Sequence, residues 1–578
     1  MVPDVFPALQ FFFSNLKLPV MISRYFRSAI YLLLLFLPVI TFGIYIFENA
    51  INVPYADDEA LLYTLNYFHD RPSGLFKNLV QQHNDHRVFF SRLAGVVIHL
   101  LHGTMNFRTM IIFGYLNLII LGHSIFLIYR SFRKDFLFFL PVTVLLFSPI
   151  VYCTQLWSIT AFEQTLSIAF SLYCLYFLQP EKKSIWYFSM PFAIAAGLAN
   201  LDGISVIPIA LMWLVVQRRT KESWLFGLFS VLFTYLFFLD FKFSTASHFP
   251  EMSQFLRVVL RGFVALSGSI VKVLSDSYGY WAAINLGGFM LLTYLFFIGR
   301  KFYRVVVELK KAYNITLTEI CFFKVLACVL MIALGRSGDD AESILSIRFQ
   351  IYSASIFVMF YLYLLSSLES NKFRDLSFVS FFTITLTLNL LAYVKYENAI
   401  VAHNDELKVD SYNYPNHFLF IHQYPGVPDP AISFYSHYNF PEYFQREVIS
   451  HWIKQVKRQK VNFKTLFKSE IFKKSLDLPL SIYPVIKFEI SNLPAVVPRR
   501  DVYLALLSRN KTVKPFLIAV KPLNRSWYNH FLNSKPGPNA VSVAFPRKMA
   551  SNIYDVALFW KNNNTPNSLL IARDLKIE

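Results

Sequence analysis

Up to about residue 395, long apolar runs alternate with short polar segments. Ile30–Phe47, Ile111–Tyr129 and Ile351–Leu368 contain no Lys, Arg, Asp or Glu over 18 or 19 residues. A bilayer core of about 30 Å needs about 20 such residues at about 1.5 Å of rise each. The pattern predicts eleven spanning helices, at 28–47, 109–129, 136–152, 159–178, 185–198, 204–217, 223–240, 281–299, 317–334, 348–367 and 376–394. The fifth and sixth are short and flank Ala199-Asn200-Leu201-Asp202-Gly203, which reads as a shallow hairpin or a re-entrant pair. Val88–His102 and Phe255–Leu274 carry charges at intervals among apolar residues, as helices lying along the membrane surface do.

From about residue 396 the pattern changes to period two. Val485–Ile490, Val502–Ser508, Pro515–Val520, Ala540–Phe545, Tyr554–Trp560 and Ser568–Arg573 are separated by Pro, Asn and Gly, which predicts an antiparallel, sandwich-like β domain. Pro441–Lys460 before it reads as helical. The fold class is therefore mainly α, a polytopic helical bundle followed by a β-rich domain.

Composition supports this division. The chain is 55% hydrophobic with 61 Phe and 33 Tyr, and its net charge is +19. That charge does not point to nucleic acid, because much of it lies in short loops between apolar runs. Basic clusters fall at the N-terminus (Lys17, Arg24, Arg27), Arg130–Lys134, Lys182-Lys183, Arg218–Lys221, Arg300–Lys311 and Lys372–Arg374, that is, in alternate loops. The positive-inside rule then predicts a multi-pass plasma (inner) membrane protein. The N-terminal segment 1–27 is expected in the cytoplasm, with loop 48–107 and the 396–578 domain on the outer side. The first apolar run ends at Glu48-Asn49 without a small-residue cleavage site, so it reads as a retained helix and not a signal peptide. The four cysteines sit in or beside apolar runs with no metal-binding spacing. Residues 401–578 hold 24 Lys and Arg against 13 Asp and Glu, which favours an acidic acceptor or anionic headgroups nearby.

Candidate chemistry gathers on the outer side. The first loop opens with Asp57-Asp58-Glu59 just past the first span and continues to His83-Asn84-Asp85-His86-Arg87 and Arg92. A carboxylate at the membrane surface is partly desolvated, which raises its pKa toward the range of a general base. Arg336 closes one span and Arg348 opens the next across a Gly- and Asp-containing loop. Arginine suits bidentate phosphate binding, although headgroup anchoring or pairing with Asp339, Asp340 or Glu342 would also account for both. Gln155, Trp157, Glu163, Gln164, Asn200 and Asp202 are further polar residues near that face, and Glu163 within a span needs a partner or a cavity. His83 and His86 could hold a divalent metal, though the spacing matches no specific zinc pattern. Walker, GxGxxG and GxSxG motifs are lacking, which removes support for an ATP-driven pump or a serine acyltransferase.

These residues resemble the GT-C superfamily of membrane glycosyltransferases over about residues 25–395. Asp58-Glu59 before Ala60-Leu61-Leu62-Tyr63 is similar to the Asp-Glu motif of the aminoarabinose and protein mannosyl transferases. The His83–Arg87 stretch with Arg92, and Gly335-Arg336 with Arg348-Phe349, resemble motifs of bacterial members. The resemblance implies a polyprenyl-phosphate-linked sugar as donor and an envelope glycan, lipid or protein as acceptor. It implies Asp58 as base, with Asp57 as the alternative since three acids stand together. Arg336, Arg348 and Arg87 would bind the donor phosphate, and Glu59, His83, Asp85, His86, Gln155 and Asp202 would line the substrate. Two other readings remain: a transporter or flippase of lipid-linked glycan, and a non-catalytic assembly protein whose outer domain binds glycan through aromatic residues of Tyr412–Phe444.

Overall fold

A computed structural model describes residues 20–70, 72–133, 135–242, 252–275, 278–307, 314–338 and 344–417. Beyond these it describes 466–472, 485–491, 502–509, 513–522, 541–546, 552–562 and 565–577. The helix expected over Pro441–Lys460, most of Tyr412–Phe444, and Asp339, Asp340 and Glu342 lie outside the described residues.

Every apolar run singled out by the pattern is helical. Among the described residues, seven helical segments are long and apolar enough to cross a membrane: Ala29–Asn49, Phe107–Phe132, Leu137–Leu156, Gly279–Val306, Leu317–Gly335, Ile347–Ser367 and Asn371–Tyr414. Leu137–Leu156 is a stack of short helices, broken where Pro149 cannot continue the hydrogen-bond ladder. Thr160–Phe177 is enclosed by the other helices, so even Glu163, Gln164, Ser167 and Ser171 are buried. Lipid-type exposure appears instead on Thr220–Phe238 and Gly279–Val306, where Leu228 and Leu292 are exposed.

The short pair 185–217 forms helices Ser189–Ala199 and Val206–Val216 around a 3₁₀ turn at Leu201–Ser205. Gly203 permits this turn. A Cβ there would stand 2.0 Å from the carbonyl oxygen of Ala196. The same device joins Met252–Ser267 to Gly279–Val306, where a Cβ on Gly287 would lie 2.0 Å from the Val264 carbonyl. Small residues let helix backbones approach in this way.

The last helix, Asn371–His417, is 47 residues long, about 70 Å at 1.5 Å per residue. It meets no Pro or Gly before Pro415, so it runs unbroken through the expected boundary at 395/396. Among the described residues the β region holds two four-stranded antiparallel sheets, and the helix end docks on one of them. One has the order β10-β9-β5-β6, from Thr565–Ile577, Asn552–Asn562, Val502–Ser508 and Phe516–Ala519. The other has the order β3-β4-β8-β7, from Leu466–Phe472, Val485–Ser491, Val541–Pro546 and Lys521–Pro522. All seven residues of β5 are buried. Val502, Leu504 and Leu506 pack within one apolar cluster, while Tyr503, Ala505 and Leu507 pack in another with Val409 and Tyr412 of the long helix.

Candidate functional site

The loop after the first helix is held by hydrogen bonds from backbone and arginine. Ala56 adopts a left-handed φ of 44°, unusual for a residue with a Cβ, and starts a 3₁₀ turn that presents the two aspartates differently. Asp58 points inward and is 1% exposed. Its Oδ2 accepts the Tyr55 N–H at 3.0 Å and its Oδ1 the Ile159 N–H at 3.0 Å. Burial pushes its carboxyl up to about 7, against the lowering effect of the Ser158 side chain and these N–H donors. Asp57 remains half-exposed. Its charge reaches His83, His86 and Arg348. Glu59 opens helix Glu59–Asp70, and its side chain lies outside the described residues.

Gln82–His83 (β1) and His86–Arg87 (β2) pair as a hairpin whose turn uses Asn84 at φ 48°, a conformation that asparagine tolerates well. Directly opposed residues share a face, so the His83 and His86 rings stand 5.8 Å apart, edge to face. Burial and the neighbouring His86 lower His83 to about 4. Burial alone would depress His86 as well, but the Glu163 carboxylate at 3.6 Å overrides it and leaves the imidazole raised. Asp85 is half-buried in the hairpin turn. Among the described residues, no group of three or more His, Cys, Asp or Glu is arranged to hold a metal ion.

Arg87 anchors the hairpin. Its guanidinium donates to the carbonyls of Phe237 at 2.7 Å and Leu239 at 3.0 Å, and to that of Val80. It also lies 5.2 Å over the Phe237 ring. Arg92 similarly donates to the carbonyls of Asn78, at 2.8 Å, and Gln81.

Arg348 approaches the same region from the 3₁₀ turn Ile347–Phe349. Its guanidinium lies 5.9 Å from the Trp157 ring and 4.8 Å from Phe349, and its buried Nε has no partner. Arg336 lies 5.3 Å over that same Phe349 ring, near enough for the two cations to interact electrostatically. Behind Trp157 a cavity of about 100 Å³ is lined by Tyr55, Tyr152, Cys153, Leu156, Trp157 and His403. His403 comes from the long last helix and packs edge to face on Tyr55 at 4.6 Å.

A buried polar seam leads inward from these groups. Gln155 donates to Thr165 Oγ1 at 3.2 Å, and its own Oε1 is buried without a partner. Asp202 Oδ1 accepts from Ser167 at 3.0 Å. Lys324 is completely buried and donates to the Asp202 carbonyl at 3.2 Å and the Cys328 sulfur at 2.8 Å. A lysine inside an apolar run is a signal that the sequence does carry. His403 has no such signal, because only the unbroken helix brings it to Tyr55.

The site thus unites Asp57, His83, His86, Glu163, Arg348 and Arg336, keeps Asp58 and Arg87 beside it in bonded positions, and places Gln155 and Asp202 deeper. No protein-family model matches the chain, and no match is found among curated proteins or solved structures.

Proposed function

We propose that this chain is a membrane glycosyltransferase that moves a sugar from a polyprenyl-phosphate donor to an acceptor hydroxyl of an envelope glycan, lipid or protein. The observation that carries the reading is the half-exposed Asp57 carboxylate acting across the site on Arg348, with Arg336 beyond it against Phe349. A base and two cations are the groups an inverting transfer requires. Asp57 takes the acceptor proton, and the freed oxygen attacks the anomeric carbon. The bond from that carbon to the phosphate oxygen breaks, and its electron pair leaves with the polyprenyl phosphate. Arg348 and Arg336 offset the charge on that leaving group. Asp57 is favoured over Asp58 as base because both Asp58 oxygens are engaged by backbone N–H groups away from solvent. The eleven-span topology, with this face and the β region on the outer side of the plasma membrane, is part of the same reading.

The test is turnover in proteoliposomes. Polyprenyl-phosphate glucose and mannose are supplied with a membrane-envelope extract, and released polyprenyl phosphate is measured. Asp57→Asn and Arg348→Ala should abolish release, while wild type turns over at least one donor. Wild-type protein that neither binds nor cleaves either donor would overturn the reading.

One observation favours a transporter or flippase of lipid-linked glycan instead: Lys324 and Asp202 lie buried among the helices, where pathways for charged cargo place such groups. Movement of a labelled lipid-linked sugar between leaflets without cleavage would select it.

A further inference from the structure

A second polar feature lies at the other end of the bundle. Arg219 donates to the carbonyl of Leu178 at 2.6 Å, just past the end of Thr160–Phe177. Glu163 lies near the start of that helix, about 22 Å away at 1.5 Å per residue. This end therefore shares nothing with Asp57.

There, helices Val206–Val216 and Thr220–Phe238 enclose a groove of about 400 Å³. Its walls are apolar, from Leu211, Val215, Trp224 and Gly227, and Arg218 and Arg219 form its rim. Trp224 is 77% exposed and Leu228 72%, so the wall continues onto the lipid-facing side of the helix. Arg219 is fixed by Leu178 and by Glu222 at 3.2 Å, yet its Nη2 is buried with no partner. Arg218, held at a left-handed φ of 56°, is exposed, and its guanidinium makes no hydrogen bond or ion pair among the described residues. Both arginines precede the first turn of Thr220–Phe238, whose N-terminal N–H groups favour an anion. Glu222 is the one acid on this turn, and Arg219 neutralises it.

We infer that this groove binds an anionic phospholipid, its phosphate at Arg218, Arg219 and the helix N-terminus and its glycerol and upper acyl chain along Leu211, Val215 and Gly227. Charge complementarity selects the occupant. A zwitterionic lipid leaves the site's net positive charge, two arginines against Glu222, without a partner, and inorganic phosphate leaves the apolar wall empty. The position matches a leaflet-surface site, where each basic residue adds to anionic-lipid attraction.

Native mass spectrometry of the full chain in detergent, titrated with phosphatidylglycerol or phosphatidylcholine, tests this. Wild type should retain phosphatidylglycerol preferentially. Arg218→Asn, which keeps a residue tolerant of the left-handed backbone, should weaken that retention about fivefold, the loss of one surface cation. Gly227→Leu should abolish it by filling the groove; a Cβ there meets only the Leu211 side chain at 3.8 Å, so the helix is not disturbed. Thermal unfolding confirms that both variants fold. Equal retention of the two lipids overturns the inference, as does undiminished phosphatidylglycerol in Gly227→Leu. Stabilisation by inorganic phosphate alone that survives Gly227→Leu overturns it too, by marking a simple anion site.

Discussion

His86 Nε2 stands 3.6 Å from Glu163 Oε1, an ion pair that ties the first-loop hairpin to a helix enclosed within the bundle. Burial opposes the His86 charge and Glu163 restores it, so the folded protein holds that proton more tightly than the unfolded chain. Its contribution to stability is complete below the unfolded histidine pKa of about 6.5 and disappears as pH rises through the folded value. Glu163→Gln should lower the melting temperature most at about pH 5.5, with the gap to wild type narrowing toward about pH 8.5. A gap that widens with pH would sink this account of the pair.

His83 acts with the opposite sign. Its pKa is lowered to about 4 by burial and by His86, so the unfolded chain binds this proton more readily. The stability it contributes is present above about pH 6.5 and is lost as pH falls from 6.5 toward 4. His83→Gln should flatten acid destabilisation across that window, as read by melting temperature. An unchanged acid slope would remove His83 from the titrating groups.

The two adjacent aspartates should separate by assay. Asp57→Asn should eliminate transfer with an unchanged melting temperature, because no described hydrogen bond depends on it. Asp58→Ala should lower stability, since the buried N–H groups of Tyr55 and Ile159 lose their acceptors at a cost of about 1–3 kcal/mol each. Full transfer by Asp57→Asn would return the base role to Asp58.

Seven of the eleven expected spans are helices long and apolar enough to cross a membrane, because an apolar run of span length has few other fates in a chain this hydrophobic; 159–178, 185–198, 204–217 and 223–240 are not among the seven. Alternation was expected for Val502–Ser508, but β5 is buried on both faces and its residues form a nearly continuous apolar run, so its strand was marked by the flanking turn residues more than by period two. The acidic loop and the arginines were visible as residues. Their roles were not, because an i, i+1 pair such as Asp57-Asp58 points in two directions and only the left-handed φ of Ala56 decides which carboxylate faces inward. Arg87 illustrates the same limit. A guanidinium near membrane level suits a phosphate, yet the carbonyls of Phe237 and Leu239, 150 and 152 residues away, occupy it here.

Lys324 is completely buried and donates to the backbone carbonyl of Asp202 at 3.2 Å and to the Cys328 sulfur at 2.8 Å. Removing that donor leaves a buried carbonyl unpaired, at about 1–3 kcal/mol. Lys324→Met should therefore lower the melting temperature, and adding Asp202→Asn, which keeps the carbonyl, should not recover the loss. Thermal unfolding of the three proteins in one detergent decides it. If the single variant melts with wild type, the hydrogen bond to the Asp202 carbonyl contributes nothing; if the double variant recovers, the two side chains act as a charge pair instead.

Asn413, fully buried near the end of the long helix, donates from Nδ2 to the Leu517 carbonyl at 2.7 Å and accepts the Leu517 N–H at Oδ1 at 3.0 Å. Its amide thus imitates a neighbouring strand along the free edge of β6, which has β5 on its other side. His417, one turn on, stacks on Phe516 at 3.6 Å. Asn413→Ala leaves both Leu517 groups unpaired, at about 1–3 kcal/mol for each buried polar group. Asn413→Asp keeps the acceptor but turns a second oxygen toward a carbonyl, so it should restore little. Hydrogen–deuterium exchange on the full chain should then show faster exchange in a peptide covering 513–520, with 502–508 unchanged because β5 remains paired on both sides. If 513–520 stays as protected as in wild type, the helix is held by its other contacts, the packing of Val409 and Tyr412 and the His417 stack among them, and the amide clamp is incidental.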